Sequence, residues 1–325
     1  MTVDEFGHLN QNETYVTFMQ ELMKTISVML CALAAFVLSG CAVTSQGEYT
    51  SRWSKDAPRY TQLDEGVTMR YTRAGDGPPL ILLHTIRTQL DYFEKLAPAL
   101  QGQYQVYALD LPGHGQSSLP QVEYTEAFLR KAVAQFIVKQ DLKNVTLVGE
   151  SIGGVLALTV STELPDRVSR VIALNPYDYG EDFGGGIRRS ESGWMIGLFN
   201  LFGSHTFEPR FVTASVLNGG FHDPSRLPPA LLTEFSRTGY RDGYRKVEYS
   251  VFKNWTSWVE ARALYQRVTV PTTLVYGDED WSNAQERERN RQAIPNAKLI
   301  VLEKSGHFTA LEKPDEVASI VLKRP

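Results

Sequence analysis

Ser151 stands in the pentapeptide Gly149-Glu150-Ser151-Ile152-Gly153, directly after the apolar run Val145–Val148 and ahead of an apolar helical stretch. A serine hydroxyl becomes a useful nucleophile only when it is presented openly and a base takes its proton. A strand that turns sharply into a helix meets the first condition, and glycines on either side relieve the crowding that so tight a turn creates. The turn also sets the hydroxyl at a helix N-terminus, where unpaired N–H groups favour negative charge. The plainer alternative, a glycine-rich turn with a capping serine, is disfavoured by the strand and helix that frame the motif. Glu150, beside the nucleophile, reads as a packing or hydrogen-bonding residue.

The base must come from elsewhere in the chain. Ser305-Gly306-His307-Phe308 follows the last apolar run, Leu299–Leu302, and Pro314 opens a closing helix. A histidine on a loop at that strand's C-terminal end reaches the serine. A lone histidine is commonly structural, but the order serine, acid, histidine favours a chemical role for His307. Its tautomer requires a carboxylate, which also stabilises the imidazolium. Gly277-Asp278-Glu279-Asp280-Trp281, after the run Thr273–Tyr276, offers the candidates. Spacing alone leaves Asp278 and Asp280 unseparated.

Short apolar runs at Leu80–Leu83, Val106–Leu109, Val145–Val148, Val171–Leu174, Thr273–Tyr276 and Leu299–Leu302 alternate with amphipathic stretches, one of them Tyr124–Lys139. Continuous apolar runs suit strands covered on both faces, and the alternation predicts an α/β fold with a mostly parallel sheet and helices on both sides. Val67–Tyr71 alternates with period two, which predicts a half-exposed strand. The alternation breaks between Tyr177 and Ala263, a stretch rich in glycine, arginine and aromatics. It reads as a largely helical insertion above the sheet, with most aromatics packing its own core and a few lining a pocket.

Together these motifs resemble the α/β-hydrolase fold family over nearly all of residues 66–325. The resemblance points to Asp280 as the acid, three residues after Gly277, with Asp278 as the alternative. Asp178 is a distant third, since some members place the acid after the preceding strand. Asp110-Leu-Pro-Gly-His-Gly-Gln-Ser117 looks like the family's loop after the fourth strand, where His114 and its glycines shape a turn. Carried over by position, the N–H groups of Ile86 and Ile152 form the oxyanion hole. Here the sequence departs from the family: His84 is followed by Thr85 rather than glycine, and a β-branched residue resists positive φ. Either the backbone differs there or the position needs no glycine. The Thr85 hydroxyl is a further candidate donor. Arg87 is placed to meet a substrate carboxylate or carbonyl, although a salt bridge to a nearby acid is the stronger expectation.

The N-terminus reads as an address. Met23-Lys24 opens the uncharged run Ile26–Leu38, too short at 13 residues to span a bilayer core of about 30 Å. Leu38-Ser39-Gly40-Cys41 resembles the lipobox of bacterial lipoproteins, which implies lipidation of Cys41 and removal of what precedes it. Ala42, rather than aspartate, follows and points to the outer membrane, facing the periplasm. A plain cleaved signal or an uncleaved anchor are the alternatives, and Met23 reads as the true initiator. The expected organisation is a leader over 1–40, a tether over 41–60, a core from 61–176 and 264–325, and the insertion over 177–263.

Composition narrows the partners. A net charge of −4 without a Lys/Arg run argues against nucleic acid. Six histidines and two cysteines, both within the first 41 residues, argue against a Cys/His zinc site. The expected reaction is hydrolysis of an ester or related acyl bond in a small to medium substrate, with no cofactor. Other chemistries of the same triad are carbon–carbon bond cleavage, perhydrolysis and acyl transfer, and a membrane-active lipase is a further reading. A catalytically idle binding protein at the cell envelope is the alternative from a different class. Epoxide and haloalkane hydrolysis are disfavoured because they use an aspartate nucleophile.

Overall fold

A computed structural model describes residues 23–24, 53–179 and 210–323 of the chain. The leader run, Cys41 and the tether up to residue 52 lie outside the described residues, as does the insertion from 180 to 209. The chain divides into two units, Met1–Glu48 and Tyr49–Pro325. Of the first, only the helical Met23 and Lys24 are described; all that follows concerns the second. Among the described residues, no helix is long and apolar enough to cross a membrane.

Eight strands form one sheet: β1 Arg59–Gln62, β2 Thr68–Ala74, β3 Pro79–Leu83, β4 Gln105–Leu109, β5 Val145–Glu150, β6 Val168–Leu174, β7 Thr272–Gly277 and β8 Lys298–Leu302. Their order is β1-β2-β4-β3-β5-β6-β7-β8, with β1–β2 and β2–β4 antiparallel and the remaining pairs parallel. Five of the six apolar runs read as covered strands are buried, Leu80–Leu83 wholly so, because one cluster of side chains covers each face of the sheet. Leu299–Leu302 departs from that reading, since β8 is an edge strand, its apolar residues are only half-buried and Val301 is exposed. The fold is that of an α/β hydrolase. Helix Glu126–Lys139, capped by the Thr125 side chain, packs one face, and Ile152–Glu163 follows β5. Between β6 and β7 the described residues include the helices Arg210–Asn218, Pro229–Gly239, Tyr244–Lys253 and Trp255–Glu260.

Two expectations change. The period-two reading of residues 67–71 predicts exposure at Arg70, yet Arg70 is buried. The loop after β4 folds over it and supplies Asp110, whose Oδ2 accepts from Arg70 Nε at 2.6 Å. The folded unit also reaches back into the stretch read as tether: Trp53 is buried, and Arg59 and Tyr60 pair with β2.

Candidate active site

The order of the parallel strands brings the ends of β5, β7 and β8 to one edge, where the loops carry the reactive side chains. At the end of β5 the backbone kinks at Ser151, with φ 59° and ψ −121°. That conformation costs a non-glycine residue roughly 1–3 kcal/mol. The surrounding packing enforces it. A Cβ at Gly149 would stand 2.0 Å from the Gly153 carbonyl oxygen, and one at Gly153 would stand 2.1 Å from that of Leu83 on β3. The motif's glycines therefore let β5, β3 and the helix pack at backbone contact.

Ser151 Oγ donates to His307 Nε2 at 2.9 Å, and His307 Nδ1 donates to Asp280 Oδ1 at 2.5 Å. All three side chains are buried. Burial opposes the Asp280 charge, but the His307 imidazole and hydrogen bonds from His307 and Ser282 outweigh it, holding the carboxyl below its ordinary range. The Ser282 amide donates to Asp280 Oδ2 at 2.9 Å, and the Ser282 hydroxyl does likewise.

The other acids are elsewhere engaged. Asp278 is exposed and accepts the Ser305 amide at 3.1 Å, so it braces the turn that precedes His307. Asp178 is buried, receiving Asn290 Nδ2 at 2.8 Å and the Tyr265 hydroxyl. Burial pushes it up to about 6 against those hydrogen bonds.

Ile86 and Ile152 line the cavity over Ser151. Among the described residues, no backbone carbonyl accepts either amide. Thr85 keeps negative φ; the positive angle falls on Arg87, at 64°. The position after His84 thus needs no glycine. The loop is braced by His84: Nδ1 donates to the Thr85 carbonyl at 2.7 Å, and Nε2 accepts the Leu111 amide at 3.0 Å. Burial lowers His84 to about 4 and His114, whose ring lies 5.2 Å away and tilted by 58°, to about 3. His114 is therefore a neutral packing residue. Arg87 is buried, 4.0 Å from Glu248 and 5.4 Å from the Phe252 ring centre.

Glu150 is buried beneath the elbow and accepts from Tyr92, from Thr309 Oγ1 at 2.5 Å and from Asn175 Nδ2 at 3.2 Å. Burial pushes its carboxyl up, opposed by the Thr309 and Tyr92 hydrogen bonds. The cavity itself is about 50 Å³, with walls that include Val216, Leu217, Phe252, Trp255, Trp258 and Trp281. Of the insertion's aromatics, Tyr240 is exposed and Phe221 packs in the core.

Residues 219–223 are fastened to the histidine loop, the acid loop and Glu312. The His307 amide donates to the Gly220 carbonyl at 2.5 Å, Trp281 Nε1 to the Gly219 carbonyl at 3.0 Å, and Glu312 accepts the amides of Asp223 and Gly306 at 2.9 and 2.6 Å. Asn175 and Trp281 were not singled out by sequence reasoning. The signals were an asparagine at a strand end, where left-handed backbone is tolerated, and an aromatic next to the acid.

Residues 78–314 match the alpha/beta hydrolase fold family, and the chain belongs to it. Relatives include the uncharacterized hydrolase YugF of Bacillus subtilis (strain 168), 26% identical over 253 residues, covering 74% of this chain and 86% of that protein. Bifunctional epoxide hydrolase 2 of Mus musculus is 26% identical over 308 residues, 81% of this chain but only 54% of the relative. This chain thus spans about half of that enzyme. The fold is shared with a membrane phospholipase A described as a bacterial virulence factor, at TM-score 0.70 and 21% identity over 95% of this chain and 96% of that one. It is also shared with the enol-lactonase of Burkholderia xenovorans LB400, at TM-score 0.64 and 19% identity over 81% and 98%.

Proposed function

We propose that the protein is a serine hydrolase that cleaves an ester or related acyl bond through an acyl-enzyme. The observation that carries this reading is the contact of Ser151 Oγ with His307 Nε2 at 2.9 Å, with Asp280 on the far ring nitrogen. His307 takes the serine proton as Oγ attacks the carbonyl carbon. The oxyanion meets the Ile86 and Ile152 amides, each donor contributing roughly 3–4 kcal/mol. The imidazolium, oriented by Asp280, returns its proton to the departing alcohol. Water then attacks the acyl-serine by the same route, releasing the acid and restoring Ser151. Epoxide opening by the family's covalent route needs a carboxylate where Ser151 stands, so the epoxide hydrolase relatives do not supply the reaction.

The narrow apolar cavity supports a short acyl group in a small to medium substrate. Lipidation at Cys41 and outer-membrane attachment complete the reading, supported by the lipobox-like run before that residue; the intact mass of the mature protein from its bacterial host tests them. A fluorophosphonate probe tests the chemistry. Labelling at Ser151, abolished in Ser151→Ala, is expected. A folded protein that never labels overturns the hydrolase reading in favour of a binding role.

A further inference from the structure

Resting on that reading, we infer that Trp281 is a positioning residue for His307, whose indole face braces the imidazole and stabilises the imidazolium formed during proton transfer. The two rings are stacked, with centroids 4.0 Å apart and planes inclined by 19°. Trp281 directly follows Asp280, so one turn supplies both the carboxylate at the ring edge and the π surface on the ring face. The indole is pinned at its outer end by the bond from Nε1 to the Gly219 carbonyl at 3.0 Å. Gly220 makes room for it: a Cβ there would lie 2.8 Å from Trp281 Cζ2 and 2.4 Å from Phe308. Phe308 and Tyr177 stand nearly perpendicular to the imidazole at 5.3 and 5.8 Å.

The face of an indole carries negative potential and attracts a cation held against it, most strongly where water is excluded. His307 is fully buried, so the attraction is unscreened. It grows when the ring is protonated, which is the condition for lowering the barrier rather than merely holding the ground state. Among the described residues, the other charged or titratable groups near the ring are Asp280 on the acid loop, Glu150 at the elbow, Tyr177 and Tyr179 after β6, and Glu312 after the histidine loop. Trp281 holds the stacked face.

Trp281 also lines the cavity, and the experiment separates the two roles. Full-length Trp281→Phe and Trp281→Leu proteins are compared with the parent for kcat, KM and pH profile. In the leucine variant kcat is expected to fall about tenfold with KM nearly unchanged, and the phenylalanine variant to fall between. The acidic limb of kcat/KM is expected to move to lower pH in the order Trp, Phe, Leu, because the imidazolium loses the π face while keeping Asp280. A raised KM with an unmoved limb, or a limb that moves upward, overturns the inference. A second readout needs no turnover. In a Ser151→Ala background, the emission difference between the protein with Trp281 and Trp281→Phe should fall as acid protonates the stacked ring. That transition should vanish on adding His307→Gln. Emission that is flat with pH overturns the stack alone, whereas absent fluorophosphonate labelling overturns the hydrolase reading alone.

Discussion

Asn175 Nδ2 donates to the main-chain carbonyl of His307 at 2.9 Å. The same side chain accepts the Gly277 amide through Oδ1 at 2.9 Å and donates to Glu150 Oε1 and Thr309 Oγ1 at 3.2 Å. One buried amide at the end of β6, with φ 42°, therefore ties the elbow, the start of the acid loop and the histidine loop to each other. Asn175→Ala leaves the Gly277 N–H and the His307 carbonyl without that partner. We expect kcat to fall roughly tenfold to a hundredfold with KM within about threefold, as for a sub-ångström misplacement of the base. Steady-state kinetics check this, and an unchanged kcat refutes it.

Asp280 and Asp278 differ by two positions and by their partners. Asp280→Asn is expected to lower kcat by about 10³–10⁴, because the amide favours the wrong imidazole tautomer. Asp278→Asn, exposed and bonded to the Ser305 amide, should stay within about threefold, since it perturbs only a turn. The reverse pattern would transfer the acid role to Asp278.

Gly153→Ala places a methyl group 2.1 Å from the Leu83 carbonyl oxygen and 2.7 Å from that of His84. Both obstacles are backbone, so neither can rotate away, and a loss of at least about 3 kcal/mol is expected. Denaturant unfolding or the yield of soluble protein measures it; a variant as stable as the parent contradicts the close packing of β3 on the elbow.

Asp91 is buried between β2 and helix Pro229–Gly239, near Arg70, Asp110 and Glu234, with Gln89 Nε2 donating to its Oδ2 at 2.6 Å. Burial pushes its carboxyl up to about 7. The unfolded chain therefore releases this proton near pH 4, while the folded protein keeps it until about 7. Across that window rising pH disfavours the fold, and above it the penalty is constant. Asp91→Asn removes the titration. Its stability relative to the parent should improve between pH 4.5 and 8 by on the order of 3–4 kcal/mol, at about 1.4 kcal/mol per unit. Parallel denaturant curves at the two pH values decide it; a difference that does not grow with pH removes Asp91 as the source.

The elements that carry Ser151, Asp280 and His307 were legible because each residue follows a run of apolar residues that forms a strand. β5 and β7 are covered as such runs suggest, whereas β8 lies at the sheet edge with Val301 exposed. β1 was not, since Arg-Tyr-Thr-Gln at a sheet edge buries only Thr61 and shows no apolar pattern. Arg70 misled the period-two reading because its burial depends on Asp110, 40 residues away in sequence. Thr85 looked like a defect in the oxyanion loop, and the backbone resolves it by taking the positive angle at Arg87 instead. Asn175 and Trp281 owe their roles to loops that meet only in the folded chain.

Residues 219–223 hold the histidine loop through the Gly220 carbonyl, the acid loop through the Gly219 carbonyl and Glu312 through the Asp223 amide. Displacing that end would break the bond between the His307 amide and the Gly220 carbonyl, so under the proposed hydrolase reading the general base keeps its seat only while this corner stays in place. Substrate traffic consistent with turnover must leave this corner undisturbed.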